Sequence, residues 1–571
     1  MNDIHALYDL WKKQAVADPD LIAELESVAG KEDEILDRFY KNLEFGTGGL
    51  RGVIGAGTNR MNVYTVGQAT QGLATYLNST YEAPSVAIAY DSRIKSETFA
   101  RFAAGVLAAN GIKVYIYPEL VPTPMLSFAV RYFSCKSGIV ITASHNPAKY
   151  NGYKCYDPHG YQMTDEAAAE TYGYIQKTDL FTDIKTMDFD AAVEQGIVEF
   201  IGADVVEAFF KAVEKTCLSK EICAKSGLKV IYTPLNGTGN KFVREMLRRV
   251  GISEVRVVKE QENPDGNFPT CPFPNPEIRQ VFECGLAMTD AFPADLLLAT
   301  DPDCDRVGIA VKTEDGYKLM TGNEVGVLLT EYLLTRRKEL GLLPERPVII
   351  KTFVTTDLVT AVAKTYGAAI VDLLTGFKYI GEQMTLLEDK GEAERFIVGM
   401  EESYGYLSGM HVRDKDAVVA STLICEMAAY YKAKGMSLYE LMQSLYAKYG
   451  MYQNSLLNFA FEGAAGMQKM TELMDSLRND TPKAIGGLEV LRVSDYKTSL
   501  VTDIATGETT PITLPKSNVL CYDLPGGNKA IVRPSGTEPK LKVYLTAVAK
   551  DLAAAQVITD RLAADFKEKV K

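Results

Sequence analysis

Between residues 85 and 142 short apolar runs alternate with longer amphipathic stretches. Ser85 to Ala89, Lys113 to Tyr117 and Gly138 to Thr142 read as strands, while Ser96 to Ala109 and Pro124 to Phe133 carry helical periodicity. The rhythm predicts βαβ units, and it restarts at Lys229 to Thr233 and at Pro347 to Lys351. Three consecutive α/β domains with mixed sheets are therefore expected. Ahead of them, residues 3 to 43 are charged and helical in period, ending at the glycine-rich run Gly46 to Gly52, a helical extension followed by a tight loop. After about residue 450 the pattern changes to isolated strands, a helix near Ala464 to Leu477 and a Gly/Pro-punctuated tail, which predicts a smaller α+β C-terminal domain. The expected boundaries are 1–205, 206–322, 323–450 and 451–571.

In each α/β unit one apolar strand runs into a polar loop. Gly138–Thr142 leads into Ala143-Ser144-His145-Asn146, Leu296–Thr300 into Asp301-Pro302-Asp303-Cys304-Asp305-Arg306, and Phe396–Val398 into Gly399-Met400-Glu401-Glu402-Ser403-Tyr404-Gly405. Open α/β sheets bind ligands outside the carboxyl ends of their strands, so these loops are where chemistry is expected.

Ser144 with His145 beside it invites a triad, but adjacent side chains usually diverge and a triad histidine comes from a distant segment. A loop hydroxyl can instead carry a phosphoryl group, or merely cap a turn. Asp301, Asp303 and Asp305 alternate along the chain and can converge on a hard cation; a solvated acidic turn is the plain alternative. An EF-hand fails, because its sixth and twelfth positions would be Arg306 and Lys312. Cys304, a soft thiol unsuited to Mg²⁺, is expected to face away. Glu401 and Ser403 can accept from and donate to vicinal hydroxyls. Downstream, Asp414 or Asp416 is placed to cap the following apolar helix, with Lys415 between them. Arg533, Ser535, Gly536, Thr537 and Lys540 fall within eight residues, suitable for gripping a phosphate; an ordinary turn is the alternative.

Composition narrows the picture. The 571 residues are 47% hydrophobic and 24% charged, so each domain can bury its own core. A net charge of -13 argues against a nucleic-acid surface, and any phosphate would be gripped locally. The first residues lack a signal-peptide core and no run approaches 18 apolar residues, so a soluble protein with no membrane partner is expected. Nine scattered cysteines, an odd number without a CxxC pair, suit reduced thiols in a cytoplasm. Only four histidines are present, so histidine-rich metal sites are not expected.

Taken in order, GTGGLRG, TASHNP, DPDCDR, GMEESYGY and RPSGTEPKLKVY resemble the motifs of the α-D-phosphohexomutases, the phosphoglucomutase/phosphomannomutase superfamily. The resemblance spans almost the whole chain and is greatest to the longer phosphoglucomutase/phosphopentomutase branch. It implies four domains around a central cleft, with Ser144 as the phosphoserine. Asp301, Asp303 and Asp305 would bind Mg²⁺ together with a Ser144 phosphate oxygen. Glu401 and Ser403 would read sugar hydroxyls, and Arg533, Ser535, Gly536 and Thr537 would hold the non-reacting phosphate. Arg51, Lys154, Arg306 and Lys415 match cleft residues, Lys154 being the candidate general acid/base; Arg51 and His145 join Ser144 and Lys154 as catalytic candidates. The implied reaction interconverts α-D-glucose 1-phosphate and glucose 6-phosphate through a bound 1,6-bisphosphate, with glucose 1,6-bisphosphate as activator. The partners implied are small sugar phosphates. Phosphopentomutase or phosphomannomutase activity, an aspartyl-phosphate enzyme using Asp301, and a non-catalytic sugar-phosphate sensor are the alternatives.

Overall fold

A computed structural model describes residues 4–46, 48–461, 463–534 and 540–570. The chain divides into two compact units. One comprises the residues up to Gly322 together with Phe377–Ser437, and the other Asn323–Gly376 together with Leu438–Lys571.

The first unit contains two sheets built on one plan. In chain-neighbour order the first runs Gly49–Val53, Tyr150–Tyr156, Ser137–Ile141, Ser85–Tyr90, Lys113–Ile116 and Val198–Phe200. Its first three strands pair antiparallel and the remaining pairs are parallel. The second runs Gly316–Met320, Val307–Thr313, Leu296–Thr300, Lys229–Thr233 and Glu254–Val257, again with two antiparallel pairings and then two parallel ones. Ser137–Ile141 and Leu296–Thr300 occupy the same place, at the switch from antiparallel to parallel pairing, and every residue of both is buried. Strands covered on both faces read as continuous apolar runs rather than alternating ones, which is why these two stand out in the sequence.

The helix Val63–Thr80 begins at a capping box in which Asn62 accepts from the backbone of Tyr64 and Thr65. It packs with the helix Ser96–Ala109 into the core of the first sheet. The N-terminal extension is three helices, Ile4–Gln14, Pro19–Ser27 and Glu32–Phe39, broken where Asp18 caps the Pro19 helix and where Gly30 takes a positive φ. It is pinned by Trp11, whose ring lies 5.5–5.9 Å from those of Phe39, Tyr64 and Phe181. The helix Ala417–Ala433 is largely apolar around its circumference and correspondingly buried, its buried Glu426 accepting from the backbone N–H groups of Leu218 and Ser219.

One sequence expectation needs correcting. The strand expected to end at Val398 continues to Glu401 and turns back through Gly405–Leu407, so Gly399, Met400 and Glu401 belong to a hairpin rather than a loop. Gly399 hides strand character in the sequence, but its missing side chain makes room for Ile380.

In the second unit Val348–Thr352 pairs parallel with Ala369–Leu373. The C-terminal region is a seven-stranded antiparallel sheet ordered Met451–Ala460, Lys540–Ala549, Lys529–Pro534, Leu520–Asp523, Arg492–Asp495, Leu500–Asp503 and Thr509–Pro511. Met470, Met474 and Leu477 of the helix Gly463–Asn479, and Leu562 and Phe566 of the helix Leu552–Val570, share a core with Val532, Leu541 and Val543.

Candidate active site

Each of the three loops singled out in the sequence joins a buried strand to its antiparallel neighbour, and each contains a non-glycine residue in the left-handed region: Ser144 at φ 52°, Cys304 at 51° and Tyr404 at 68°. Such conformations cost roughly 1–3 kcal/mol and persist only where the surroundings impose them.

At Ser144 the surroundings are explicit. The backbone N–H of Ser144 donates to Thr142 Oγ1 at 2.8 Å. The Arg93 guanidinium then donates to four carbonyls of the loop: Ser144 at 2.5 Å, Asn146, Pro147 at 3.0 Å and Tyr150 at 3.1 Å. Arg93 is buried, ion-paired to buried Asp91 at 3.4 Å and stacked 5.0 Å over the ring of Phe268. On the far side, Gly152 is required, since a side chain there would strike the Thr142 carbonyl. Ser144 itself is only 4% exposed. Its hydroxyl donates to Asp301 Oδ2 at 2.7 Å and lies 3.1 Å from His145 Nδ1. Burial, and then the positive charges of Arg306 and Arg51, push His145 well below the usual imidazole range, so it stands neutral beside the serine.

The aspartates converge. Asp301 Oδ1 accepts the backbone N–H groups of Asp305 at 3.1 Å and Arg306 at 2.9 Å, which closes the turn. Asp303 Oδ2 accepts from Thr123 Oγ1 at 3.0 Å and Lys154 Nζ at 3.3 Å. Asp305 Oδ2 faces Lys415 Nζ at 3.2 Å and Lys154 Nζ at 3.8 Å. All three residues are at most 1% exposed, and one ligand oxygen from each falls within 4.8 Å of the others. Burial, reinforced by the charges of Asp303 and Asp305, holds the Asp301 carboxyl well above its ordinary range. Asp303 Oδ1 and Asp305 Oδ1 are buried without hydrogen bonds. Orphaned carboxylate oxygens beside mutually repelling acids fit a hard divalent cation, which would supply both the missing contacts and the missing charge. The Cys304 thiol sits instead beside Thr300 and the position of Gly239, in keeping with its expected orientation.

Lys154 comes from the strand Tyr150–Tyr156, and Arg51 is exposed on Gly49–Val53 opposite Gly152. Arg306 bridges to Gly405 and pairs with Glu277 at 3.0 Å. Glu401 is buried at the end of its strand, and Ser403 is partly exposed in the turn. Of the two capping candidates it is Asp416 that caps, accepting from Val418 and Val419. Asp414 instead accepts from the Tyr156 hydroxyl and from Lys415. Lys415 lies against Gly405, where a side chain would collide with its stem. Burial works against the Lys415 charge, but Asp305, Asp414 and Glu401 together hold its ammonium above the usual lysine range.

Thus Ser144, His145, Lys154, Arg306, Lys415 and the three aspartates are linked by these contacts within one unit. Arg533 belongs to the other, partly exposed on Lys529–Pro534, while Ser535, Gly536 and Thr537 lie outside the described residues. Sequence reasoning missed Asp91, Arg93 and Thr123. Asp91-Ser92-Arg93 follows the buried strand Ser85–Tyr90, the same strand-to-polar-loop signal that found the others. A cavity of about 920 Å³ elsewhere in the first unit, floored by Phe210, Phe242 and Val255, includes none of these groups. Its rim charges are already matched, Lys241 with Glu119 and Arg248 with Glu245.

Known proteins resemble this chain over most of its length. Family models described as phosphoglucomutase/phosphomannomutase alpha/beta/alpha domains I, II and III match residues 42–181, 207–316 and 321–449. A phosphoglucomutase of Staphylococcus saprophyticus is 37% identical over 518 residues, 90% of this chain and 92% of that protein. Among solved structures, a putative phosphomannomutase of Thermus thermophilus superposes with TM-score 0.68 at 23% identity, covering 92% of this chain and 99% of that one. The open form of the phosphoglucomutase parafusin from Paramecium gives 0.67 at 17% identity, covering 93% and 95%.

Proposed function

The chain belongs to the phosphoglucomutase/phosphomannomutase family, and from that premise we propose that it interconverts α-D-glucose 1-phosphate and glucose 6-phosphate through a phosphoserine at Ser144. It is an enzyme, an intramolecular phosphotransferase. The observation that carries the assignment of Ser144 is its 2.7 Å contact with Asp301, inside a carboxylate set with unsatisfied oxygens. Asp301, Asp303 and Asp305 would hold Mg²⁺, with a Ser144 phosphate oxygen as a further ligand. The metal's chemistry there is to neutralise charge on the transferring phosphoryl group.

The remaining work falls to the chain. The P–O bond to Ser144 Oγ breaks as one forms to the free O6 or O1 of the sugar, whose hydroxyl gives up a proton while the serine oxygen regains one. Lys154, held by Asp303 at 3.3 Å, is the candidate proton carrier, and neutral His145 in its Nδ1–H tautomer can donate a hydrogen bond to the serine oxygen, whose own proton goes to Asp301. Arg51 and Arg306 supply positive charge near the reacting groups, and Arg306 and Lys415 would contact the sugar phosphate. Glu401 and Ser403 would read sugar hydroxyls, which supports a site able to accept two orientations of one bisphosphate. Arg533, with Ser535, Gly536 and Thr537, would hold whichever phosphate is not reacting. Glucose 1,6-bisphosphate would then serve as both intermediate and activator. No helix among the described residues is long and apolar enough to cross a membrane, and the cysteines are free thiols, which supports a reducing, cytoplasmic setting.

Peptide mapping after incubation with glucose 1,6-bisphosphate tests the reading. A phosphoryl group on Ser144 is expected. Phosphate trapped on Asp301 would favour the aspartyl-phosphate alternative, and an active enzyme that is never phosphorylated would end the proposal.

A further inference from the structure

Asp357 stands at the N-cap of the helix Leu358–Thr365, yet its side chain makes no capping bond. Both carboxylate oxygens are used elsewhere. Oδ1 accepts from Lys351 Nζ at 3.1 Å and Oδ2 from Lys529 Nζ at 2.8 Å. Lys351 has a fully buried side chain and is further held by Asp372 at 2.6 Å and the Thr355 carbonyl at 3.1 Å. One carboxylate therefore joins two ammonium groups from different layers of the second unit: the parallel strand pair that carries Lys351 and the antiparallel sheet that carries Lys529. Burial alone would raise the Asp357 carboxyl, but Lys351 and Lys529 outweigh it and keep the group ionised. Only Lys351 is fully buried, the Asp357 and Lys529 side chains keeping 32% and 22% of their exposure, so the bridge is weak evidence for stability as such, and charge pairs of this kind are best attested as devices that fix register.

What the bridge would fix is the strand Lys529–Pro534. Ala530 and Val532 face the helix-covered core, so alternation puts Lys529, Ile531 and Arg533 on the opposite face. Arg533 follows Lys529 by four residues, about 13 Å along the same face. A second contact joins the same two layers, where the Phe353 ring stacks on Tyr496 with centroids 5.2 Å apart. The strand that presents Arg533 is thus tied down at its beginning, at Lys529, while Arg533 itself remains partly exposed.

We propose that Asp357 is a positioning residue for Arg533, acting through Lys529 to seat the Arg533 strand on the buried Lys351 ammonium and so setting affinity for the non-transferred phosphate. This rests on the reading of Arg533 as a phosphate clamp. The test is steady-state kinetics on glucose 1-phosphate for Asp357→Asn, Lys529→Met and Arg533→Ala, singly and combined, with the melting temperature of each. Lys529→Met leaves the Lys351–Asp357–Asp372 contacts in place and so serves if Asp357→Asn does not fold. Asp357→Asn or Lys529→Met should raise KM about 5- to 10-fold with kcat within about 2-fold. In the Arg533→Ala background either change should add less than about 2-fold, and Asp357→Glu should restore KM. A lowered melting temperature with unchanged KM, or KM effects that multiply fully with that of Arg533→Ala, would overturn the positioning role while leaving the clamp intact. If Arg533→Ala alone leaves KM unchanged, the clamp reading fails and this proposal fails with it.

Discussion

The Ser144 and Asp301 loops and the Glu401 hairpin share a construction but differ in closure. In each, a buried strand passes through a left-handed residue into its antiparallel neighbour. The first two are sealed by each other and by their surroundings: the Ser144 hydroxyl meets Asp301, Thr123 of the helix Thr123–Tyr132 meets Asp303, and Arg93 takes four carbonyls of the serine loop. The hairpin keeps Glu401 buried at its strand end but leaves Ser403 partly open in its turn. With the roles proposed above, the difference shows how one scaffold would divide its tasks. Groups that meet charge developing in a transition state gain most from being fixed and dry, whereas groups that read a substrate must stay accessible to it.

The comparison breaks first at Ser144. Ser144→Ala should lower kcat by at least about 10⁴-fold if Ser144 is the phosphoryl carrier proposed above. Its fold should survive, since only one small hydroxyl is lost. A circular dichroism melt beside single-turnover kinetics would check both, and retained turnover would place the reaction elsewhere.

Next comes the carboxylate set. If the three aspartates hold Mg²⁺ as proposed, Asp303→Asn should slow phosphoryl transfer by about 10²–10³-fold and weaken activation by Mg²⁺, since an amide would supply less charge to the cation. Titrating activity against Mg²⁺ after chelation separates this from a folding defect. Full activity in excess EDTA would mean that the orphaned oxygens of Asp303 and Asp305 serve something other than a metal.

These two groups were legible in the sequence because isolated polar residues directly after fully apolar strands are conspicuous. The strands themselves are legible for the same reason, Leu296–Thr300 at its expected bounds and Ser137–Ile141 one residue from the expected Gly138–Thr142. Glu401 was placed in a loop because Gly399 interrupts an apolar run that in fact continues as strand. Arg93 went unread for another reason: its importance lies in four backbone carbonyls, and a main-chain acceptor leaves no mark on residue identity. The bridge from Lys351 through Asp357 to Lys529 likewise joins segments some 170 residues apart, which only the folded chain brings together.

Arg93 offers a finer cut. Arg93→Lys keeps the charge that Asp91 needs but cannot span four carbonyls with a planar fork, so the Ser144 loop should loosen while the core remains paired. The expected loss is about 10–100-fold in kcat, the scale of a misplacement near 1 Å at a reacting group. Arg93→Met, which strands buried Asp91, should also cost about 3–5 kcal/mol of stability. Denaturant melts would distinguish the two variants, and equal stability for both would show that the Asp91 pair contributes little.

The smallest effect tests whether the hairpin reads sugar at all. Glu401 carries no positive charge, so removing it should leave phosphate affinity nearly intact, yet a sugar hydroxyl that loses its acceptor forfeits about 1–3 kcal/mol. Glu401→Ala should therefore lower kcat/KM for glucose 1-phosphate by about tenfold or somewhat more, with a different factor for ribose 1-phosphate and mannose 1-phosphate, whose hydroxyls lie elsewhere relative to the phosphate. Glu401 also contributes to holding the Lys415 charge, so a part of the loss will be common to every substrate. The ratio between sugars cancels that common part, and relative kcat/KM values measured in competition report it directly. An identical loss on all three sugars would assign Glu401 to supporting Lys415, and sugar reading by the hairpin would then have to rest on the partly exposed Ser403 alone.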